Sequence, residues 1–246
     1  MKLSKRMEAV AEMVTPGYVI CDVGTDHGYI PIYLVESGKN PSALAMDLRE
    51  GPLSRAVENI SAHGLSDKIK TRISNGVEKL EKGEAESVVI AGMGGELVLS
   101  ILKADPEKCR SFKELILQPQ SDVDKVRRYL RHNNYRIMDE DMIYEDGKYY
   151  PMFRVVPVEE NPMWDHLPSG SKKVCDLYGP LLISNGNPVL RKYLVQQHTQ
   201  LEKIQKELMG QERSEKINAR LLEVEQQIER NESAYSIMGE IKHAGI

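Results

Sequence analysis

Cysteine is scarce: the 246 residues hold three, Cys21, Cys109 and Cys175, scattered and without C-x-x-C spacing. An odd, dispersed set excludes a disulfide framework and offers no zinc-ligand spacing, so the thiols read as reduced and no metal is expected. Long apolar runs are missing as well. The opening stretch, Met1 to Val14, is broken by Lys5, Arg6, Glu8 and Glu12, which fits neither a secretion signal nor a membrane span; a cytoplasmic chain without a membrane partner is expected. Excess positive charge is absent too. A net charge of −4 excludes a surface coated for nucleic acid but leaves room for a local basic patch. No internal repeat or long low-complexity segment occurs. Nor does the G-x-G-x-x-G fingerprint that lets a helix N-terminus approach a pyrophosphate, which disfavours an NAD(P) oxidoreductase.

What is there is a hydrophobic content of 41%, enough for a proper core, in 246 residues that suit one α/β domain of about 150–160 residues plus an appendage, or two small domains. The organising stretch is Val19 to Tyr29. An apolar run, Tyr18 to Cys21, has the length of a buried parallel strand. It breaks into a turn with Gly24 and Gly28, and a helix opened by Pro31 and closed near Gly38 follows. The order Asp22-x-Gly24-x-x-x-Gly28 puts a second carboxylate, Asp26, inside the turn. Two carboxylates repel a pyrophosphate and suit a cofactor bearing an ammonium and a sulfonium, which is S-adenosylmethionine. An ordinary βα turn without a ligand is the bland alternative.

Four more strands are predicted at Ser42–Met46, Lys70–Ile73, Ser87–Ile90 and Glu114–Leu117, and helices over 3–14, 52–63 and 96–104. The second strand ends in Asp47, 25 residues after Asp22, close to where a doubly wound fold places the acid that binds a ribose. Asn75-Gly76 follows the third strand, either at the adenine end of the cofactor or as a simple turn. The fourth strand runs into Ala91-Gly92-Met93-Gly94-Gly95, where glycines let a ligand approach the backbone. It lacks the Asp/Asn-Pro-Pro-aromatic loop that grips an exocyclic amine. After the fifth strand come Gln118-Pro119-Gln120 and Ser121, a cap for the next helix. That helix carries Lys125, Arg127, Arg128, Arg131 and His132, read as an RNA-phosphate face or as a solvated face. Two β-rich runs, Tyr135–Tyr144 and Tyr149–Val158, flank a link containing Asp146-Gly147, a hairpin signal. Composition shifts at Glu159-Glu160-Asn161-Pro162, so the expected domains are 1–158 and 159–246. Residues 163–186 are mixed. From Pro188 two apolar stripes, Leu190 to Leu208 and Ile217 to Ile228, predict two helices of about twenty residues in an antiparallel coiled coil; a single dimerising helix is the alternative.

Asp22-Val-Gly-Thr-Asp-His-Gly-Tyr-Ile-Pro31, Ala91-Gly-Met-Gly-Gly95 and Leu117-Gln-Pro-Gln120, followed by a coiled-coil tail, resemble the bacterial tRNA (adenine-22-N1)-methyltransferase family over nearly the whole chain. The resemblance implies a Rossmann-like class I methyltransferase sheet, parallel strands closed by an antiparallel hairpin, with a helical tRNA-binding tail. It implies S-adenosylmethionine as donor and tRNA as partner, in a monomer. On the donor side stand Asp22, Gly24, Thr25, Asp26, His27, Gly28, Tyr29, Asp47, Asn75, Gly76, Gly92, Met93 and Gly94. On the substrate side stand Lys5, Arg6, Gly95, Gln118, Pro119, Gln120, Arg127, Arg128 and Arg131. Asp26 is the catalytic candidate, to stabilise the developing purinium or simply to hold the donor. Adenine N1 carries a free in-plane lone pair, so the reaction demands positioning rather than base catalysis. A non-catalytic RNA-binding or adaptor module with a relic pocket is the competing class, and a methyltransferase acting on another RNA is the other alternative.

Overall fold

The computed structural model describes residues 1–160 and 169–244, without the side chains of 169 and 240–244. They fall into two compact units, Met1–His166 and Leu167–Ile246. The expected boundary at 159–162 lies partly outside the described residues, as does the start of the mixed stretch 163–186. Among the described residues no helix is long and apolar enough to cross a membrane, and no cluster of His, Cys, Asp and Glu could hold a metal. Cys21, Cys109 and Cys175 are all buried.

In the first unit the apolar runs become strands β1 (Ile20–Val23), β2 (Ala43–Asp47), β3 (Ile69–Ile73), β4 (Ser87–Met93) and β5 (Glu114–Pro119). All five are parallel, in the order β3-β2-β1-β4-β5. The hairpin, β6 (Tyr135–Glu145) and β7 (Lys148–Pro157), completes the seven-stranded sheet with β7 antiparallel to β5. Positive φ at Asp146 and Gly147 makes the tight turn that the Asp-Gly pair announces. Strands buried on both faces read as continuous apolar runs, and β1 and β2 are buried at every position.

Helices α1 (Lys5–Met13), α2 (Tyr29–Glu36), α3 (Glu50–Ala62), α4 (Gly95–Ala104), α5 (Pro106–Ser111) and α6 (Val123–His132) cover the sheet. The core under α1 and α2 joins Val10, Ala11, Ile32 and Leu34 to Ile20, Ala45 and Val89. Three expectations need correction. Helix α5 is an addition to the predicted elements; Asp105 caps it by accepting the Lys108 N–H at 3.0 Å, and Pro106 opens it. Ser121 does not cap α6: that position belongs to Asp122 at φ 50°, with no side-chain cap bond. β1 begins at Ile20 rather than Tyr18, which places Asp22 inside the strand.

The second unit contains α7 (Ser169–Tyr178), α8 (Pro180–Ser184), α9 (Pro188–Met209) and α10 (Glu215–Ala244). Helices α9 and α10 fold back on each other within one chain: Asn231 Nδ2 donates to the Leu194 carbonyl at 3.0 Å and Arg191 Nη2 to that of Met238 at 3.5 Å. The antiparallel pair, not the single helix, is therefore the arrangement. Helix α10 has 30 residues, longer than the predicted twenty, because Ala234 and Met238 extend the buried stripe beyond Ile228.

Candidate functional site

The sheet order reverses at β1, whose neighbours β2 and β4 lead away in opposite directions, so a crevice opens at their carboxyl ends. Around it the chain makes three turns. The β1–α2 turn folds back onto β2: the N–H groups of Gly24 and Thr25 both donate to the Met46 carbonyl, at 2.8 and 2.9 Å. Gly24, at φ +75°, lies so close beneath the Met93 methyl that a Cβ there would overlap it. Helix α3 clamps the rest of the turn. Asn59 Nδ2 donates to the His27 carbonyl at 2.9 Å, and Arg55 Nη2 to Asp26 Oδ1 at 2.8 Å. His27 is thereby held at φ +64°, a conformation that costs a side-chain residue energy, and its ring stacks on Tyr29 with centroids 5.1 Å apart.

The crevice contains a cleft of about 220 Å³ lined by Asp22, Gly24, Asp26, Tyr29 and Ile30 on one side, Ala91, Gly92 and Gln120 at the end of the sheet, and Arg6, Met7 and Val10 from α1. Asp22 is buried, and burial pushes its carboxyl up to about 6 from an ordinary 3.8; the Thr25 hydroxyl acts in the opposite sense and the charge of Asp47 adds to the rise. Among the described residues no basic side chain pairs with Asp22. A buried carboxylate lacking a cation, at the rim of a cleft, fits a ligand that brings its own positive charge. Asp47 sits one residue beyond the Val23–Met46 pairing. Its Oδ1 accepts the Arg49 N–H at 2.7 Å, and its charge acts on Asp22. Leu48, 62% exposed, and Ile73 form an apolar ledge next to it at the ends of β2 and β3. A side chain at Gly92, itself at φ +78°, would enter the cleft toward Arg6 and Gln120. Together these features fit an amino-acid-bearing, cationic nucleoside.

The substrate-side candidates separate. Arg6 and Gln120 face the cleft. Gln118 does not: it is fully buried, and its Oε1 accepts both Arg6 Nη1 at 2.9 Å and the Gly92 N–H at 3.2 Å. Pro119 is buried as the last residue of β5, and Gly95 lies beneath the Ser121 carbonyl with its N–H given to Ser121 Oγ at 3.2 Å. These three shape the loops and have no free edge for a base. Lys5 borders a separate hollow with Glu8, Glu12, Asp139 and Asp141.

Arg127 needs the largest correction. It is 1% exposed, paired through Nε with buried Glu140 at 2.8 Å and packed over Phe153, so it cannot reach an RNA phosphate. Arg128 and Arg131 remain on the outer side of α6, Arg128 beside Asp124 at 3.3 Å. Asp26 is on the rim, its side chain 61% exposed and tied to Arg55. Asn75 and Gly76 border a neighbouring hollow with Ser100 and Ile101. Sequence reasoning missed Arg55, Asn59, Leu48 and Tyr150. The first two lie at the period of a helix passing the turn, and Leu48 is the apolar neighbour of a strand-end acid; Tyr150 carried no signal.

Residues 3–153 match the family described as a methyltransferase domain. The tRNA (adenine(22)-N(1))-methyltransferase of Bacillus subtilis is 37% identical over 202 residues, spanning 81% of this chain and 84% of that protein. Among solved structures, TrmK of M. capricolum in complex with S-adenosyl-homocysteine superposes with a TM-score of 0.82 at 30% identity, covering 97% of this chain and 100% of that one. Sp1610 of Streptococcus pneumoniae in complex with S-adenosyl-L-methionine gives 0.81 at 31%, covering 95% and 100%.

Proposed function

The chain belongs to the tRNA (adenine(22)-N(1))-methyltransferase family, and from that premise we infer that it transfers a methyl group from S-adenosylmethionine to N1 of adenine 22 in tRNA. The observation that carries the reading is the cleft at the β1–β4 crevice, with buried Asp22 on one wall and Arg6 on the other. When bound, the donor supplies an electrophilic methyl group on a sulfonium. Asp22 and the Gly24 turn hold its amino-acid end, Asp47 its ribose and the Leu48–Ile73 ledge its adenine.

The acceptor needs no general base, because adenine N1 is a free nucleophile at neutral pH. The loops after β4 and β5 therefore act by positioning, keeping the base in line with the methyl and excluding water. The target base must leave its stack to enter. Asp26, paired with Arg55 at the rim, serves either to stabilise the purinium as it forms or to hold the donor. Residues 1–158 form the catalytic part. The α9–α10 pair grips the tRNA body, as suits an RNA recognised by shape and backbone. One chain suffices in this reading, with Leu190, Leu194 and Leu201 of one stripe and Leu221 and Val224 of the other buried within it, and the cytoplasm is where it meets its substrate.

Labelled donor and unmodified tRNA provide the test. N1-methyladenosine at position 22 in the digested product is expected. Label in N6-methyladenosine would overturn the acceptor atom, and absence of label would favour the non-catalytic binding module.

A further inference from the structure

The β6–β7 hairpin overhangs the sheet. Its outermost pairing with β5 joins Phe153 to Leu117, and β5 ends two residues later at Pro119. Counted from Phe153 toward the turn, Tyr149 lies four residues out, so it stands about 7 Å beyond the carboxyl end of β5. Strand alternation sorts the side chains of this overhang. Ile143 and Tyr150 turn toward α1, where the Tyr150 ring lies 5.3 Å from the Arg6 guanidinium. The cross-strand pairs Glu140–Phe153, Met142–Pro151 and Tyr144–Tyr149 turn to the opposite face. Helix α6 meets the first of these through Arg127. The last lies farther out: Tyr144 is 40% exposed, its ring 4.7 Å from that of Tyr149 with 47° between the planes. Glu145 is turned inward, accepting the N–H groups of Lys5 and Arg6 at 2.8 and 3.3 Å, while Lys148 beside it stays exposed. An open aromatic face with a cation alongside is the composition of a surface for unpaired nucleotides.

We propose that Tyr144, backed by Tyr149, is a stacking platform for a tRNA base adjacent to the adenine being methylated; the proposal rests on the tRNA-methylation reading above. Drawing one adenine out of a loop strips its neighbours of a stacking partner, at a cost in free energy. An aromatic ring overhanging the carboxyl end of the sheet offers such a neighbour a replacement π-face. It does so for any base, so tRNAs of different sequence are served alike. The platform is separate from the donor's seat. The donor is held by the loops after β1 and β2, whereas β4 and β5 stand between those strands and the hairpin.

The test compares wild type with Tyr144→Leu, Tyr144→Phe and Tyr144→Trp on unmodified tRNA and on tRNAs made abasic at either neighbour of adenine 22. S-adenosylhomocysteine binding is measured alongside. Tyr144→Leu should raise KM for tRNA about fivefold or more. The salt slope of binding should stay the same, since stacking neutralises no phosphate, and so should S-adenosylhomocysteine affinity. Tyr144→Phe and Tyr144→Trp should retain most of the wild-type affinity for tRNA, because each keeps a π-face. On one of the two abasic tRNAs wild type should lose the same factor, and Tyr144→Leu should lose nothing more, as two partners of one contact require. An unchanged KM in Tyr144→Leu, or a penalty that persists undiminished on both abasic tRNAs, overturns the platform. A shallower salt slope would make the tyrosine a phosphate ligand and overturn it too. Parallel loss of S-adenosylhomocysteine affinity would reduce the pair to a support of the hairpin. Should Tyr144→Leu fail to fold, 2-aminopurine at each neighbouring position takes its place: fluorescence should be quenched on binding wild type at one of the two, and quenching at neither overturns the stack. Wild-type protein inactive on intact tRNA would instead overturn the reading beneath it.

Discussion

At the scale of single residues, Asp22 should make donor binding depend on pH. Its carboxyl is raised by burial to about 6, so in the free protein it stays protonated up to about that pH and ionises above it. The sign follows: the stability this group contributes is complete below about pH 4 and is lost as pH rises through about 6, roughly 3 kcal/mol for two units. A cationic ligand favours the carboxylate, so donor affinity should climb between about pH 4 and 6 and level off above. Calorimetry in buffers of different ionisation enthalpy should detect proton release on binding near pH 5.5 but little near 7.5, and Asp22→Asn should abolish the difference. Asp47→Ala tests the ribose assignment: a loss of about 1.5–3 kcal/mol in donor binding is expected for a charge-assisted hydrogen bond. Unchanged affinity in the folded variant would remove Asp47 from the site. The position of Asp47 at the end of β2 was legible as an apolar run stopped by a polar residue; Asp22 stops a run in the sequence too, yet lies one residue inside β1. Gln118 was not legible. It looks equally available in the sequence, and only the third dimension shows its oxygen already taken by Arg6 and Gly92.

At the scale of elements, α6 shows how a surface reading can fail on information that was present. Val123, Val126 and Leu130 mark an apolar helical stripe at i, i+3 and i+7, and Arg127 fills the i+4 place on it. Its partner was harder to see. The register of β6 shifts between Ile137 and Asp139, so the inward side changes from odd to even residues and Glu140 turns in with Met142. Arg127→Met alone should therefore destabilise the protein by about 3–5 kcal/mol, because it leaves Glu140 charged and buried. The double variant with Glu140→Leu should recover most of that loss in denaturant titration. Neutralising Arg128 and Arg131 should leave stability nearly unchanged and flatten the salt dependence of tRNA binding. An identical slope would return those two to the solvated face.

For the whole molecule, the succession of strands and helices and the helical tail were legible from alternating apolar periods, whereas the boundary between the units rested on a shift in composition alone. Cutting the chain after Val158 should leave donor affinity close to that of the full chain. It should lower tRNA methylation under subsaturating conditions at least tenfold, about 1.4 kcal/mol of transition-state stabilisation. Circular dichroism checks the fold, and full activity would assign the helical pair to some other role. The bond that seats α1 has a further consequence in time. Glu145, at the hairpin tip, accepts the N–H groups of Lys5 and Arg6 at 2.8 and 3.3 Å, across 140 and 139 residues of chain. The first helix synthesised thus waits for almost the last strands of its domain. At about 5–20 residues per second, Arg6 is out of the ribosome for roughly 7–30 s before its clamp exists. A growing chain should therefore bind no donor tightly until the hairpin clears the exit tunnel, a threshold that stalled nascent chains of graded length would reveal as a step in cofactor capture.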